Sequence, residues 1–403
     1  MTGLRVALVT RRFWPQAGDD ERWAADLAEA MRRQGARPTV VTAQWDKTWS
    51  TEMNCRGLPL VRLPYSGSKG WARRRFRRAL ALWLRTKGRQ FDVVLVCDDR
   101  DDAATAVEAV RDRPAVVVLR AKPIVGEGSN GRLRRFPWNG MRQSRPPAVD
   151  AVVVARDSVT ADVARQGFPR ERIVAIADGV GELRERDPAQ RTASRRTLSE
   201  VNLLLTVADA AMLAVYIGPL ETGRHLETLV DAWSSLAERS PDSRLWLIGD
   251  GPLGPALASR IRRAGLDANV LMTGCFDDPE LIHQAADVFV LPDASGPSRS
   301  LIEAVAAGLP AVASDSEFSR SLVVPGENGV LVPPGDGDRL VAGALQLFRH
   351  PPMPATLAAH ALRVREQYSL DNAAAEHLRL FERLLAAKGL VRGEPAPSGK
   401  TSA

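Results

Sequence analysis

Two quoted stretches decide the fold: Ala286-Asp287-Val288-Phe289-Val290-Leu291-Pro292, and Ser300-Leu301-Ile302-Glu303-Ala304-Val305-Ala306-Ala307-Gly308-Leu309-Pro310-Ala311-Val312-Ala313-Ser314. Residues 288–292 and 311–314 are short, mainly apolar runs of strand length. Residues 300–307 between them have helical spacing. Parallel strands need a crossover, so a strand–helix–strand succession of this kind implies a parallel sheet.

The same alternation extends in both directions. Residues 212–217, 244–248 and 270–273 read as further strands. Residues 226–237, 255–264 and 279–286 read as the helices between them. Upstream, residues 4–10, 38–42, 92–97, 115–119, 148–155 and 173–176 read as strands. The helix over 21–34 repeats apolar residues at Trp23, Ala24, Leu27, Ala28 and Met31, and Gly35 ends it. Residues 182–199 are charged, contain Pro188 and lack apolar periodicity, so they read as a linker. The expected class is α/β, with two Rossmann-like doubly wound parallel-sheet domains facing a central cleft. The first spans 1–181 and the second 200–369. An amphipathic helix over 370–388 closes the first, and a polar tail covers 389–403.

Composition agrees with two globular domains: 403 residues, 45% hydrophobic and 26% charged. The net charge of +7 is carried almost wholly by arginine, which favours bidentate phosphate contact, but acidic residues are nearly as numerous. Cys55, Cys97 and Cys275 are scattered without metal-like spacing, which predicts free thiols in a reducing cytoplasm and no metal site. The first ten residues lack a secretory pattern, and no stretch reaches the ~18 apolar residues of a membrane span.

Ligands of open parallel sheets bind at the carboxyl ends of the strands. Gly218, Gly249, Gly251 and Gly274 all fall at such ends. In the first half, Phe13-Trp14-Pro15-Gln16-Ala17-Gly18-Asp19-Asp20-Glu21-Arg22 leads a strand into a helix, a place where free N–H groups and the helix dipole favour an anion. It is not the G-x-G-x-x-G fingerprint, so nicotinamide chemistry is disfavoured.

The chain resembles the glycosyltransferase family 4 enzymes (glycosyl transferases group 1) over nearly its whole length. The resemblance runs from the 15–21 loop, through Ala177-Asp178-Gly179-Val180, to Glu303-Ala304 with Gly308-Leu309-Pro310. It continues through Val324-Pro325-Gly326-Glu327-Asn328-Gly329-Val330-Leu331-Val332 and the last helix. It implies the GT-B architecture, with a nucleotide-diphosphate sugar in the second half, an acceptor in the first, retention of anomeric configuration and no cofactor or bound metal. It implies that Glu303 holds the ribose hydroxyls, that Arg224 neutralises the diphosphate, and that Gly274, Cys275 and Phe276 lie near the base. Ser295 and Gly296 would lie near the donor sugar, with Gly18 and Asp19 lining the loop opposite. Arg224, Ser295 and Glu303 are therefore the expected catalytic residues. Gly18, Asp19, Gly218, Gly249, Gly251, Gly274, Phe276 and Gly296 complete the expected donor site.

The sequence departs from the family pattern at four places. Pro219 stands where the first of a basic pair is usual, with Arg224 keeping the second. Ser295 stands eight residues before Glu303, where a second Glu is usual. Asp19 replaces a loop glycine, and a carboxylate 4 Å from a phosphate would repel it by ~4 kcal/mol at an effective dielectric near 20. The five histidines, His225, His283, His350, His360 and His377, all lie in the second half or the closing helix. The expectation is a retaining glycosyltransferase acting on a glycan, lipid-linked or small-molecule acceptor. A catalytically degenerate GT-B binding protein and a GT-B sugar-nucleotide epimerase are the alternatives.

In the helix over 71–86, Trp71, Phe76, Ala79, Leu80, Trp83 and Leu84 fall on one face, ringed by Arg73, Arg74, Arg75, Arg77, Arg78 and Arg85. Such a helix either packs its apolar face on the sheet or lies on an anionic membrane. The expected location is the cytoplasm, with peripheral contact at the membrane face as the variant. No nucleic-acid-binding module accompanies the charge.

Overall fold

The computed structural model describes residues 3–15, 19–66, 69–97, 99–121, 146–181, 183–276, 279–294, 296 and 298–390. Gly18 and Ser295 lie outside the described residues. Of Asp19 only the backbone is described, as the first residue of a helix.

The first sheet has eight strands: β1 (Arg5–Val9), β2 (Arg37–Gln44), β3 (Glu52–Cys55), β4 (Leu58–Pro64), β5 (Val93–Cys97), β6 (Val116–Ala121), β7 (Ala151–Val154) and β8 (Ile173–Ala175). Their order is β3-β4-β2-β1-β5-β6-β7-β8. All neighbours are parallel except β3 and β4, a hairpin turned by Arg56 and Gly57, both at positive φ. Two such residues form the type I′ turn that matches strand twist. At the centre, Leu8 pairs with Val40 on one side and Leu95 on the other, and Val6, Ala7, Leu8 and Val9 are buried. A strand covered on both faces needs this unbroken apolar run.

The covering helices are α1 (Asp19–Arg33), α2 (Lys69–Arg85), α3 (Arg100–Val110) and α4 (Thr160–Arg165). Trp23, Leu27 and Met31 of α1 are buried, as their spacing requires. In α2 the buried side chains include Phe76, Leu80, Trp83 and Leu84, so its apolar face packs on the sheet. Trp71 does not belong to that face: it is 67% exposed, on the arginine side.

The next helix corrects the linker expectation. Residues 188–201 form α5 (Pro188–Val201), capped by Asp187, whose side chain accepts from the Ala189 N–H, with Pro188 in the first turn. Its inner face is charged, which is why apolar periodicity missed it. Arg195 is 3% exposed. It donates to Asp287 Oδ2 at 2.7 Å and to the carbonyls of Ala285 and Ala208 at 3.0 and 2.7 Å. Arg191 reaches Asp287 Oδ1 at 2.7 Å, and the Leu213 N–H donates to Oδ2 at 2.8 Å. Asp287→Asn keeps the shape but leaves these guanidinium groups without their shared anion. We expect a loss of about 1–3 kcal/mol, measured by urea denaturation.

The second sheet contains β9 (Leu213–Ile217), β10 (Arg244–Ile248), β11 (Val270–Gly274), β12 (Val288–Leu291), β13 (Ala311–Ser314) and β14 (Gly329–Val332), all parallel, in the order β11-β10-β9-β12-β13-β14. Around it lie α6 (Leu226–Arg239), α7 (Gly254–Arg263), α8 (Glu280–Ala285), α9 (Arg299–Ala306), α10 (Glu317–Leu322), α11 (Gly337–Arg349) and α12 (Pro354–Gln367). The last helix, α13 (Leu370–Ala387), buries Leu380, Phe381 and Leu385 in the core of the first sheet, beside α1.

Candidate functional site

The strand ends of the second sheet are held together by close backbone contact. The Gly218 N–H donates to the Ile248 carbonyl at 2.9 Å and the Leu220 N–H to the Asp250 carbonyl at 3.0 Å. A Cβ on Gly249 would sit 1.9 Å from the Gly218 oxygen, and one on Gly251 2.3 Å from the Leu220 oxygen. A Cβ on Gly218 would lie 2.7 Å from the Tyr216 hydroxyl, which donates to the Pro219 carbonyl at 3.0 Å. Gly249 and Gly251 are thus fixed by the approach of two loops and Gly218 by the Tyr216 ring, whatever else lies over them. Gly274 and Gly296 differ: both have positive φ, and a Cβ on either would meet nothing within 4 Å. Phe276 is half-buried against the second domain's core.

Arg224 follows the β9 turn. Its Nη1 lies 3.1 Å from Asp293 Oδ1, a buried carboxylate just past β12, the strand beside β9. Burial would weaken the guanidinium's hold on its proton, but the charge of Asp293 outweighs it and leaves the pKa above the ordinary value. Arg224 is thereby aimed and permanently charged.

Glu303 lies in α9 and is 3% exposed. Arg299, one turn earlier, donates from Nε to Oε1 at 2.8 Å. Arg22, in α1 of the first domain, donates from Nη2 to Oε2 at 3.1 Å. Arg299 also pairs with Asp26 of α1 through Nη2. His283, fully buried in α8, places Nε2 3.8 Å from Glu303 Oε2. Burial alone would raise the Glu303 pKa; Arg22 and Arg299 reverse this and hold the carboxyl well below the usual range. The expected ribose carboxylate therefore faces the cleft, and a cation from the opposite domain closes over it.

Arg224 and Glu303 share one sheet edge but have separate partners. Asp293 and Arg299 bracket the short segment that holds Gly296. Asn328 has an internal role: its side chain accepts from the Val324 N–H and donates to the Leu322 carbonyl. Sequence reading gave no role to Arg22, Asp26, Asp293, His283 or Arg299. The Arg299–Glu303 spacing of four on a helix was an available signal. The others meet only through tertiary structure. The closing helix brings His377 to the first domain, but it is buried against Trp23 and burial pushes it down to about 4. It is an uncharged core residue at neutral pH. Among the described residues no group of three or more His, Cys, Asp or Glu could hold a metal ion.

Two parallel-sheet domains with a charged edge facing the partner domain define the GT-B class of glycosyltransferase. The structure is similar to sucrose-phosphate synthase from Thermosynechococcus elongatus, with a TM-score of 0.73 and 17% identity, covering 95% of this chain and 100% of that one. It is also similar to Anabaena HepE in complex with UDP-glucose, with a TM-score of 0.69 and 15% identity, covering 94% and 100%. A family model described as Glycosyl transferases group 1 matches residues 211–350, and one described as Glycosyltransferase Family 4 matches residues 21–181. The chain belongs to this glycosyltransferase family.

An uncharacterized glycosyltransferase of Haemophilus influenzae is 23% identical over 88% of this chain and 94% of its own length. A phosphatidyl-myo-inositol mannosyltransferase of Mycobacterium leprae is 30% identical over 40% of this chain. The latter match spans 44% of that protein's length, and the matched share is similar or smaller for several other curated relatives.

Proposed function

We propose that the protein transfers a sugar from a nucleotide-diphosphate sugar to an acceptor hydroxyl, retaining the anomeric configuration. The observation that carries this reading is the pairing of Arg224 with Asp293 on the carboxyl edge of the second sheet, the edge that also carries Glu303. A fixed guanidinium there stabilises charge developing on a departing diphosphate without a metal or other cofactor. Glu303 offers two acceptor oxygens to ribose hydroxyls. Arg22 belongs to the other domain, so opening of the cleft withdraws it and leaves Glu303 held by Arg299. On this reading Gly274 and Phe276 would contact the base and Gly296 the sugar. UDP-glucose in the complex with HepE makes uridine donors the first to try.

The test is donor turnover. Wild-type protein, incubated with UDP-, GDP- and ADP-sugars, should slowly release nucleoside diphosphate from one of them. Release should quicken with acceptor and yield a product whose anomeric proton keeps the donor's configuration by NMR. A second reading, a degenerate binding protein, is favoured by the engagement of both Glu303 oxygens by arginine; it predicts binding without turnover. Conversion of donor to an epimer without acceptor would instead indicate an epimerase.

The acceptor is a glycan, a lipid-linked saccharide or a small molecule, and the protein acts in the cytoplasm, at the membrane face where the acceptor is lipid-linked. Among the described residues no helix is long and apolar enough to cross a membrane. The outer face of α2 carries exposed Trp71, Arg74, Arg75, Arg78, Leu82 and Arg85, a cationic surface with two apolar contacts. Co-sedimentation with phosphatidylglycerol vesicles at low salt should exceed that with phosphatidylcholine and fall in 0.5 M salt, because surface charges are screened within roughly 3–10 Å. Equal sedimentation with both vesicle types removes the membrane contact.

A further inference from the structure

We infer that the first domain carries a preformed aromatic platform for a pyranose ring, so that the acceptor is a saccharide; this rests on the transferase reading above. Three neighbouring strands, β1, β2 and β4, are followed at their carboxyl ends by Trp14, Trp45 and Tyr65. Trp14 and Trp45 each remain 41% exposed in a chain that buries most of its large apolar side chains. Single exposed aromatics are ordinary. These are set apart by how firmly they are held.

Trp45 donates from Nε1 to the Arg11 carbonyl at 2.7 Å and lies 4.4 Å from Tyr65, centroid to centroid. Arg62 is a buried guanidinium that forms no ion pair with a carboxylate among the described residues. It donates to the carbonyls of Ser50 and Trp14 at 2.8 and 3.0 Å. Its Cζ lies 5.7 Å from the Trp14 ring and 5.3 Å from the Trp49 ring. Burying such a cation is costly unless its hydrogen bonds are satisfied. Here Nη1 and Nη2 donate to the backbone segments that carry Trp49 and Trp14, so Arg62 ties both in place.

Rigid aromatics lose little conformational entropy on binding. A pyranose presents a face of C–H groups and a rim of hydroxyls. That pattern matches flat rings set among carbonyls and guanidinium groups better than it matches an alkyl chain, which seeks continuous apolar cover. The position also fits. The platform is on the ligand-binding edge of its sheet. Trp14 stands eight positions before Arg22, which touches Glu303.

The experiment uses the full chain and two readouts. Saturation-transfer NMR is run with maltose, cellobiose, α-1,2-mannobiose and chitobiose, with glycerol and octyl glucoside as comparators. Calorimetric titration of UDP reports the donor side. Saturation should reach the ring C–H protons of at least one disaccharide and not glycerol. Trp14→Ala/Trp45→Ala should weaken that binding by about tenfold, and Trp14→Tyr/Trp45→Tyr should restore part of it. UDP binding should be unchanged in both, which also reports that the variants are folded. The inference is overturned if no disaccharide is saturated, if the double alanine variant binds as wild type, or if only the octyl protons of octyl glucoside respond. If UDP fails to bind while a disaccharide is held by the platform, the platform stands and the transferase reading fails.

Discussion

Arg224→Ala is expected to lower kcat by about 10²–10³-fold, the usual cost of removing one fixed group that stabilises developing charge. The expectation follows from how the side chain is held. Asp293, buried beside it, fixes its direction before any ligand arrives, so little reorganisation accompanies departure of the diphosphate. KM should rise less than kcat falls, because the charge on the leaving group grows on the way to the transition state. Arg224→Lys keeps the charge but loses the planar fork, and should recover only part of the rate. A drop confined to KM, with kcat intact, would show that Arg224 grips the ground state alone.

Glu303→Ala is expected to cost about 3 kcal/mol of stability, the low end of what breaking a buried ion pair costs. Two guanidinium groups, Arg22 and Arg299, lose their common anion, while Asp26 still partners Arg299. The pH dependence has a definite sign. The folded-state pKa of Glu303 lies below its ordinary 4.5. The stability it contributes is therefore fully present above the unfolded-state pKa and lost as pH falls through the depressed folded value. Wild-type protein should lose stability on acidification below pH ~4.5 more steeply than Glu303→Gln, which has no proton to take up at that site. Urea midpoints measured from pH 6 to pH 3 for both proteins decide it; parallel curves would mean that the carboxyl is not held by the two arginines.

What the sequence made legible was whatever leaves a periodic trace. Strands buried on both faces read as apolar runs, and α1 announced itself through Trp23, Leu27 and Met31. The β3–β4 hairpin went unread because its turn uses Arg56-Gly57 and its outer strand is only four residues long. The helix α5 went unread because its buried side is an arginine network on Asp287, not an apolar stripe. The glycines at 218, 249 and 251 fall at strand ends as read, yet what demands them is neighbouring backbone at 249 and 251 and the Tyr216 side chain at 218, which no single-chain pattern displays. Glu303 and Arg224 were singled out through the family resemblance. Their partners were not, since Arg22 and Glu303 are separated by 281 residues and meet only when the domains face each other.

The proposed transfer requires a nucleotide carrier to be gripped between Arg224 and Glu303 of the second domain. Calorimetric titration of UDP, GDP and ADP into wild-type protein, Arg224→Ala and Glu303→Gln tests it most directly. At least one nucleoside diphosphate should bind wild type, and each substitution should weaken it by about tenfold or more, consistent with hydrogen bonds to charged groups worth roughly 1.5–3 kcal/mol. Failure of all three nucleotides to bind, or binding that both variants retain undiminished, would contradict it.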